Sequence, residues 1–175
     1  MTMKLLETVT VGAGGTASIT FSNLPTQGYT DLVLKFSLRT DHTGVQKNMF
    51  IYINGGSTVV NGRILFGTGS STGTFTDSTS NFSYTNTANY TANTFGNGEL
   101  YIPNYRSSVA KSLSLDVVTE NNGTEAVLAL STGLWNNTAA ITSVTLDPEF
   151  GTILQHSTAS LYGITAGSDG VVSVS

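Results

Sequence analysis

The chain of 175 residues contains no cysteine, three prolines, one tryptophan and few charges. The missing cysteine excludes disulfides, thiolate metal sites and thiol nucleophiles, though it identifies no compartment, because a domain of this size folds without staples. Charged residues make up 10% of the chain, against about 25% in ordinary proteins. The net charge of −4 is spread without long runs, so no electrostatic footprint for nucleic acid or for an anionic membrane is present. No stretch reaches 18 uninterrupted apolar residues, which excludes a spanning helix. After Met1-Thr2-Met3-Lys4 only Leu5-Leu6 precede Glu7, too short an apolar run for a signal peptide, and a chain made and used without Sec export is expected. Disorder is excluded from the other side, because 39% of the residues are hydrophobic. Serine, threonine, asparagine and glycine occupy the places that charges usually hold. A neutral polar surface, much of it buried in an assembly, is the expectation.

A domain of this length buries roughly 70% of its extended-chain surface, enough for one two-sheet core. Residues 1–164 form that domain in this reading, and 165–175, small and polar around Gly167 and Gly170, form a C-terminal tail or arm. The strongest pattern is a long hairpin over residues 111–135. Ser112-Leu113-Ser114-Leu115-Asp116-Val117 alternates polar and apolar, Asn121-Asn122-Gly123-Thr124 offers turn chemistry, and Ala126-Val127-Leu128-Ala129-Leu130 returns. A two-residue turn at Asn122-Gly123 predicts Val117 opposite Leu128, Leu115 opposite Leu130 and Leu113 opposite Thr132, with one apolar face. It also sets Glu120 against Glu125, a like-charge pair costing ~0.2 to 1 kcal/mol.

Elsewhere the alternation predicts a strand over 4–11 and another over 16–21, closed by Asn23-Leu24-Pro25, the two forming a hairpin. Over 29–39, Leu32, Leu34, Phe36 and Leu38 share one face, while Lys35 and Arg39 stay in water on the other. Met49-Phe50-Ile51-Tyr52-Ile53 is apolar on both faces, as in a central strand. Asn61-Gly62, between Val59-Val60 and Ile64-Leu65-Phe66, predicts a short hairpin. The pattern weakens over 67–98, where 81–84 and 89–95 are the segments expected to pair. Glu99-Leu100-Tyr101-Ile102 resumes until Pro103, and 140–146 and 160–164 supply two closing strands around a bend at Asp147-Pro148-Glu149. The fold expected is all-β: an antiparallel β-sandwich, jelly-roll-like, of about ten short strands, with no helix.

Catalytic constellations are weak. His42 beside Asp41, and His156 beyond Asp147 and Glu149, permit a triad only arithmetically, since no Gly-x-Ser-x-Gly sits between a strand and a helix. Asp147 with Glu149, or Glu120 with Glu125, has a spacing that says nothing about a glycosidase, whose carboxylates are recognised by separation across a cleft. Gly67-Thr68-Gly69-Ser70-Ser71-Thr72-Gly73 lacks the lysine and the following helix of a phosphate loop. Asp41, Asp77 and Asp169 lie in polar loops without calcium-loop spacing. Sequons at Asn81, Asn89, Asn122 and Asn136 follow from composition. No catalytic, cofactor or metal site is assigned. Trp135 reads as packing, in the core or in an interface, ahead of a sugar platform. The interface candidates are Leu5 and Leu6, Trp135, and Val171 and Val172 in the tail. Phe75, Phe82, Tyr84 and Tyr90 are candidates for a receptor-contact loop, because aromatic rings on polar loops suit glycan stacking.

Several stretches together resemble small β-rich virion proteins of tailed bacteriophages, especially those infecting cyanobacteria and other marine bacteria. They are Gly28-Tyr29-Thr30-Asp31-Leu32-Val33, Asn93-Thr94-Phe95-Gly96-Asn97-Gly98-Glu99, Tyr101-Ile102-Pro103-Asn104-Tyr105, Val117-Val118-Thr119-Glu120-Asn121-Asn122, Gly133-Leu134-Trp135 and Ser157-Thr158-Ala159-Ser160-Leu161-Tyr162-Gly163-Ile164. The resemblance implies a non-enzymatic structural protein of the virion, assembled in the host cytoplasm. It points either to a capsid decoration (cement or head-surface) protein or to a tail-fibre or adhesin module recognising host-surface glycan. The starting Met1 and compact length favour decoration over a fibre with a long shaft. The partners it implies are a second or third copy of the chain and other virion proteins, such as the major capsid protein, with no nucleic acid and no membrane. It carries no catalytic residues and no cofactor.

Overall fold

The structure, a computed structural model, describes residues 2–44, 47–56, 59–77, 83–120 and 126–165. Twelve strands cover most of them: β1 (Thr2–Thr10), β2 (Ile19–Ser22), β3 (Asp31–Leu38), β4 (Lys47–Ile53), β5 (Val59–Gly67), β6 (Thr72–Asp77), β7 (Ser83–Thr85), β8 (Gly96–Ile102), β9 (Lys111–Thr119), β10 (Val127–Trp135), β11 (Ser143–Pro148) and β12 (Thr158–Thr165). They form an eight-stranded sheet, β1-β12-β3-β8-β9-β10-β5-β6, and a four-stranded sheet, β2-β11-β4-β7. Every strand pairing is antiparallel. The expected all-β antiparallel sandwich is therefore the fold, with twelve strands in place of about ten and no helix among the described residues.

The core is built from alternation. Leu32, Leu34, Phe36 and Leu38 of β3, Leu113, Leu115 and Val117 of β9, and Leu100 and Ile102 of β8 point inward from the wide sheet. They meet Ile19 and Phe21 of β2, Met49, Ile51 and Ile53 of β4, and Val144 and Leu146 of β11. Close cross-strand packing is possible where a ring lies over a glycine: a Cβ on Gly98 would run into the Phe36 ring, and one on Gly73 would stand 2.7 Å from Phe66. Each such pair fills with one side chain the place of two.

Several local expectations change. The first two predicted strands do not form a hairpin: β1 pairs with β12 in the wide sheet, while β2 pairs with β11 in the narrow one. The chain turns the corner through Val11, whose amide donates to Ser157 at 2.9 Å, and Thr16, which bridges to Ile153. β5 does not turn at Asn61-Gly62: the strand continues from Val59 to Gly67 with a bulge-like irregularity there, two residues standing opposite Gly133 of β10, while Gly62 pairs with Asp77 of β6. Residues 89–95 form turns and no strand. The turn at 121–125, with Glu125 of the expected acidic pair, and the tail from 166 lie outside the described residues, as does Asn81.

The central hairpin exists, one residue out of the predicted register. Leu128 faces Val118, Leu130 faces Asp116, and Ala129 and Ser131 face Val117 and Leu115. A one-residue shift moves every side chain to the opposite face. The inward residues of β10 are accordingly Val127, Ala129, Ser131, Gly133 and Trp135, and Leu128 and Leu130 point into solvent.

Arg39 is the other correction. It is buried, and its guanidinium donates to the carbonyls of Thr91 and Thr94 at 2.9 Å each, of Tyr90 at 3.0 Å and of Ala88 at 3.2 Å. Lys35 remains exposed, as its alternation predicts.

Candidate functional site

The register of β9 and β10 creates an apolar surface where the sequence promised core. Outward positions line up across neighbouring strands: Asp116 of β9 is opposite Leu130 of β10, which is opposite Leu65 of β5 and then Thr74 of β6. The adjacent row runs from Val118 through Leu128 to Gly67 and Thr72. Leu128, Leu130, Leu65 and Val118 are 55%, 53%, 52% and 40% exposed. Isolated exposed leucines are ordinary, whereas four aliphatic side chains contiguous on three paired strands form a patch of the kind that marks an interaction surface.

This surface is hollowed. Its main hollow, about 840 Å³, is lined on this face by the side chains of Leu65 and Leu130 with Ser114, Thr132, Thr74 and Thr76, and its charged groups are Arg63 and Asp116. A smaller hollow of about 290 Å³ continues across β8 and β9 past Leu128, Val118 and Asn97 to Lys35 and Glu99. Lys35 is closed off by a 2.7 Å ion pair with Glu99, and that hydrogen-bonded carboxylate raises the lysine above its ordinary pKa. Arg63 and Asp116 are exposed, and neither makes an ion pair or hydrogen bond among the described residues. The rungs under these side chains are paired on both sides from β8 to β5, so the patch is displayed on backbone that has little freedom to move.

The residues expected to form interfaces are scattered. Leu5 is exposed, but it sits on β1, at the opposite edge of the wide sheet from β5 and β6. Leu6 is the extra residue of a bulge between Leu5 and Glu7, and it packs against the core. Trp135 is 1% exposed and belongs to the core, with the Lys111 amine 4.9 Å above its ring. Val171 and Val172 lie outside the described residues. The aromatic loop is not a display of rings either. Tyr84 sits in β7, whose three residues are all buried, and Tyr90 is buried in the turn that Arg39 grips by its carbonyls. Phe82 lies outside the described residues, and Phe75, at the β6 edge, is half-exposed against Phe66 with ring centroids 6.0 Å apart.

The polar groups considered for chemistry have structural employment. Asp41 accepts from the Thr152 amide at 2.7 Å and hydroxyl at 2.8 Å, which holds its carboxyl below the ordinary range. His42 stacks on Phe150 at 5.2 Å, and His156 occupies a turn with φ of 72°. Glu149 accepts from Asn48 at 2.8 Å. Thr68 and Ser71 bond each other across the turn joining β5 and β6, which accounts for the glycine-rich loop. Lys111 is buried, donates to the carbonyls of Ser107 at 2.7 Å and Ala139 at 2.5 Å, and is lowered in pKa by that burial. Among the described residues no group of three histidines or carboxylates is placed to hold a metal ion.

The outward aliphatic face is hidden in the sequence by Trp135. With a period of two, Trp135 and Leu130 cannot both point inward from one regular strand, and the indole is the larger apolar group. No protein-family model, no curated protein and no solved structure matches this chain.

Proposed function

We propose that this chain is a non-enzymatic structural protein of a bacteriophage virion, a head-surface decoration protein that associates with itself and with the lattice of the major capsid protein. The observation that carries the reading is the solvent-facing aliphatic patch of Val118, Leu128, Leu130 and Leu65 on the rigid face of the wide sheet. Such a surface stabilises by being covered. Burying apolar area contributes about 25 cal/mol per Å², and a protein that binds only the assembled shell stabilises that shell by mass action. The resemblance to phage virion proteins and the scarcity of charge support the same reading. The alternative, a tail-fibre or adhesin module contacting host glycan, relied on displayed aromatic rings; with Tyr84 and Tyr90 buried, it keeps only Phe75 among the described residues.

The test is to compare rupture of capsids by heat or osmotic shock with and without bound protein. Higher resistance with the protein is expected, and lost in Leu130→Glu. Equal resistance in all three samples would remove the cementing role.

A further inference from the structure

The charges beside the aliphatic patch are arranged to suit a copy of itself. Asp116 lies on β9 and Arg63 on β5, one strand to either side of β10, so the leucines of β10 run between an acid and a base. Both charged groups line the same 840 Å³ hollow, and both are exposed. Neither forms a salt bridge or hydrogen bond among the described residues, in contrast to Lys35 and Glu99 on the same face; Asp116 stands opposite Glu99 and acts on Lys35 only at longer range. In a two-fold contact the same patch is used twice, residue i meeting j and j meeting i, so a patch with one acid and one base on opposite flanks is self-complementary. A strictly acidic or basic partner would be attracted by one flank and repelled by the other.

We propose that a second copy of this chain docks face to face on the outer surface of β9, β10 and β5, leucines against leucines, with Arg63 of each copy meeting Asp116 of the other. This names the partner for the surface on which the proposed function rests. It also moves the self-association surface from the predicted Leu5, Leu6, Trp135, Val171 and Val172 to the outer face of β9, β10 and β5.

Charge reversal tests the arrangement. Arg63→Glu alone sets acid against acid at both ends of the contact, and Asp116→Arg alone sets base against base. Mixed one to one, the two variants pair every acid with a base. Both positions are exposed, and unchanged circular dichroism and melting confirm that each variant folds. By sedimentation from about 5 to about 500 µM, the wild-type chain of 18.3 kDa is expected to double its mass as concentration rises. Each single variant should associate roughly tenfold or more weakly, and the mixture and the R63E/D116R double variant should both recover dimers. A wild-type chain that stays monomeric at every concentration overturns the proposal, as does dimerisation that the single reversals leave untouched. A monomer that still strengthens capsids sinks this inference and spares the decoration role. A dimer of this geometry that leaves capsid rupture unchanged does the reverse.

Discussion

Arg39 shows how a single residue fixes a segment that has no regular structure of its own. A guanidinium is a planar fork with five N–H donors, and here its partners are four backbone carbonyls between Ala88 and Thr94, with the Thr94 hydroxyl at 3.3 Å. Those partners include no carboxylate, so carbonyl dipoles do the work of a counter-ion. Burial lowers the pKa of Arg39 from its ordinary value, yet a guanidinium starts so high that it stays charged. Arg39→Met would leave the carbonyls without donors in a buried place, and a loss of about 3 kcal/mol is expected. Arg39→Lys should recover only part of it, because a point charge on a flexible stem reaches one or two of the acceptors. Urea unfolding reads both values from the midpoint at constant slope. A lysine variant as stable as the wild type would show that charge, and not the fork, holds the turn.

Among the elements, β10 decides both the core and the outer surface, and its parity is testable. Ala129 points inward against Val117 on β9 and Phe66 on β5, while Leu130 points outward. Ala129→Leu should overpack the core and cost about 1–3 kcal/mol. Leu130→Thr, on the exposed β-surface, should stay within about 0.5 kcal/mol of wild type when both are melted at a concentration low enough to keep the chain monomeric. The predicted register demands the opposite ranking, so two urea melts decide between them.

The same strand shows what the sequence could and could not disclose. Where alternation is unambiguous the residues lie as it predicts: Leu32, Leu34, Phe36 and Leu38 on β3 and Leu113, Leu115 and Val117 on β9 are core, whereas of the two-faced apolar run of β4 only Met49, Ile51 and Ile53 are core, Phe50 and Tyr52 being partly exposed on the other face. The Asn-Gly pairs misled: Asn61-Gly62 sits at an irregularity within β5 and not in a hairpin turn, and the register inferred from Asn122-Gly123 is one residue away from the one β9 and β10 adopt. Turn chemistry is local, whereas register answers to distant partners, here the burial of Trp135. Nothing local announces that β1 would pair with β12, about 150 residues away, or that Arg39 would find its acceptors on another loop. The outward aliphatic face was illegible for the same reason: Leu128 and Leu130 read as core until their neighbours were known.

For the whole molecule, the titrating groups predict a stability profile that is lopsided in pH. Burial, followed by the hydrogen bond to Asp31 at 2.8 Å, pushes Tyr101 up to about 12, and burial also raises Tyr52 and Tyr105. In the unfolded chain these phenols ionise near 10.0, so above that pH the unfolded state has lost protons that the folded state still holds. Stability therefore falls as pH rises, for Tyr101 across the window from 10 to about 12. Lys35, raised by Glu99, acts in the same direction, its stabilisation being lost as the lysine deprotonates. Lys111 opposes them, because its folded pKa lies below its unfolded value and the folded state sheds its proton first. On the acid side the effects offset one another: Asp41 is lowered by Thr152 and loses stabilisation as it protonates, while Asp147 is raised by burial and gains as it becomes neutral. Melting temperature should thus change little on mild acidification and drop above pH 10. Tyr101→Phe, which removes the phenol that ties β8 to Asp31 of β3, should lower stability at neutral pH and flatten the alkaline decline. A variant whose decline from pH 10 to 12 runs parallel to the wild type would show that the Tyr101 proton does not carry it.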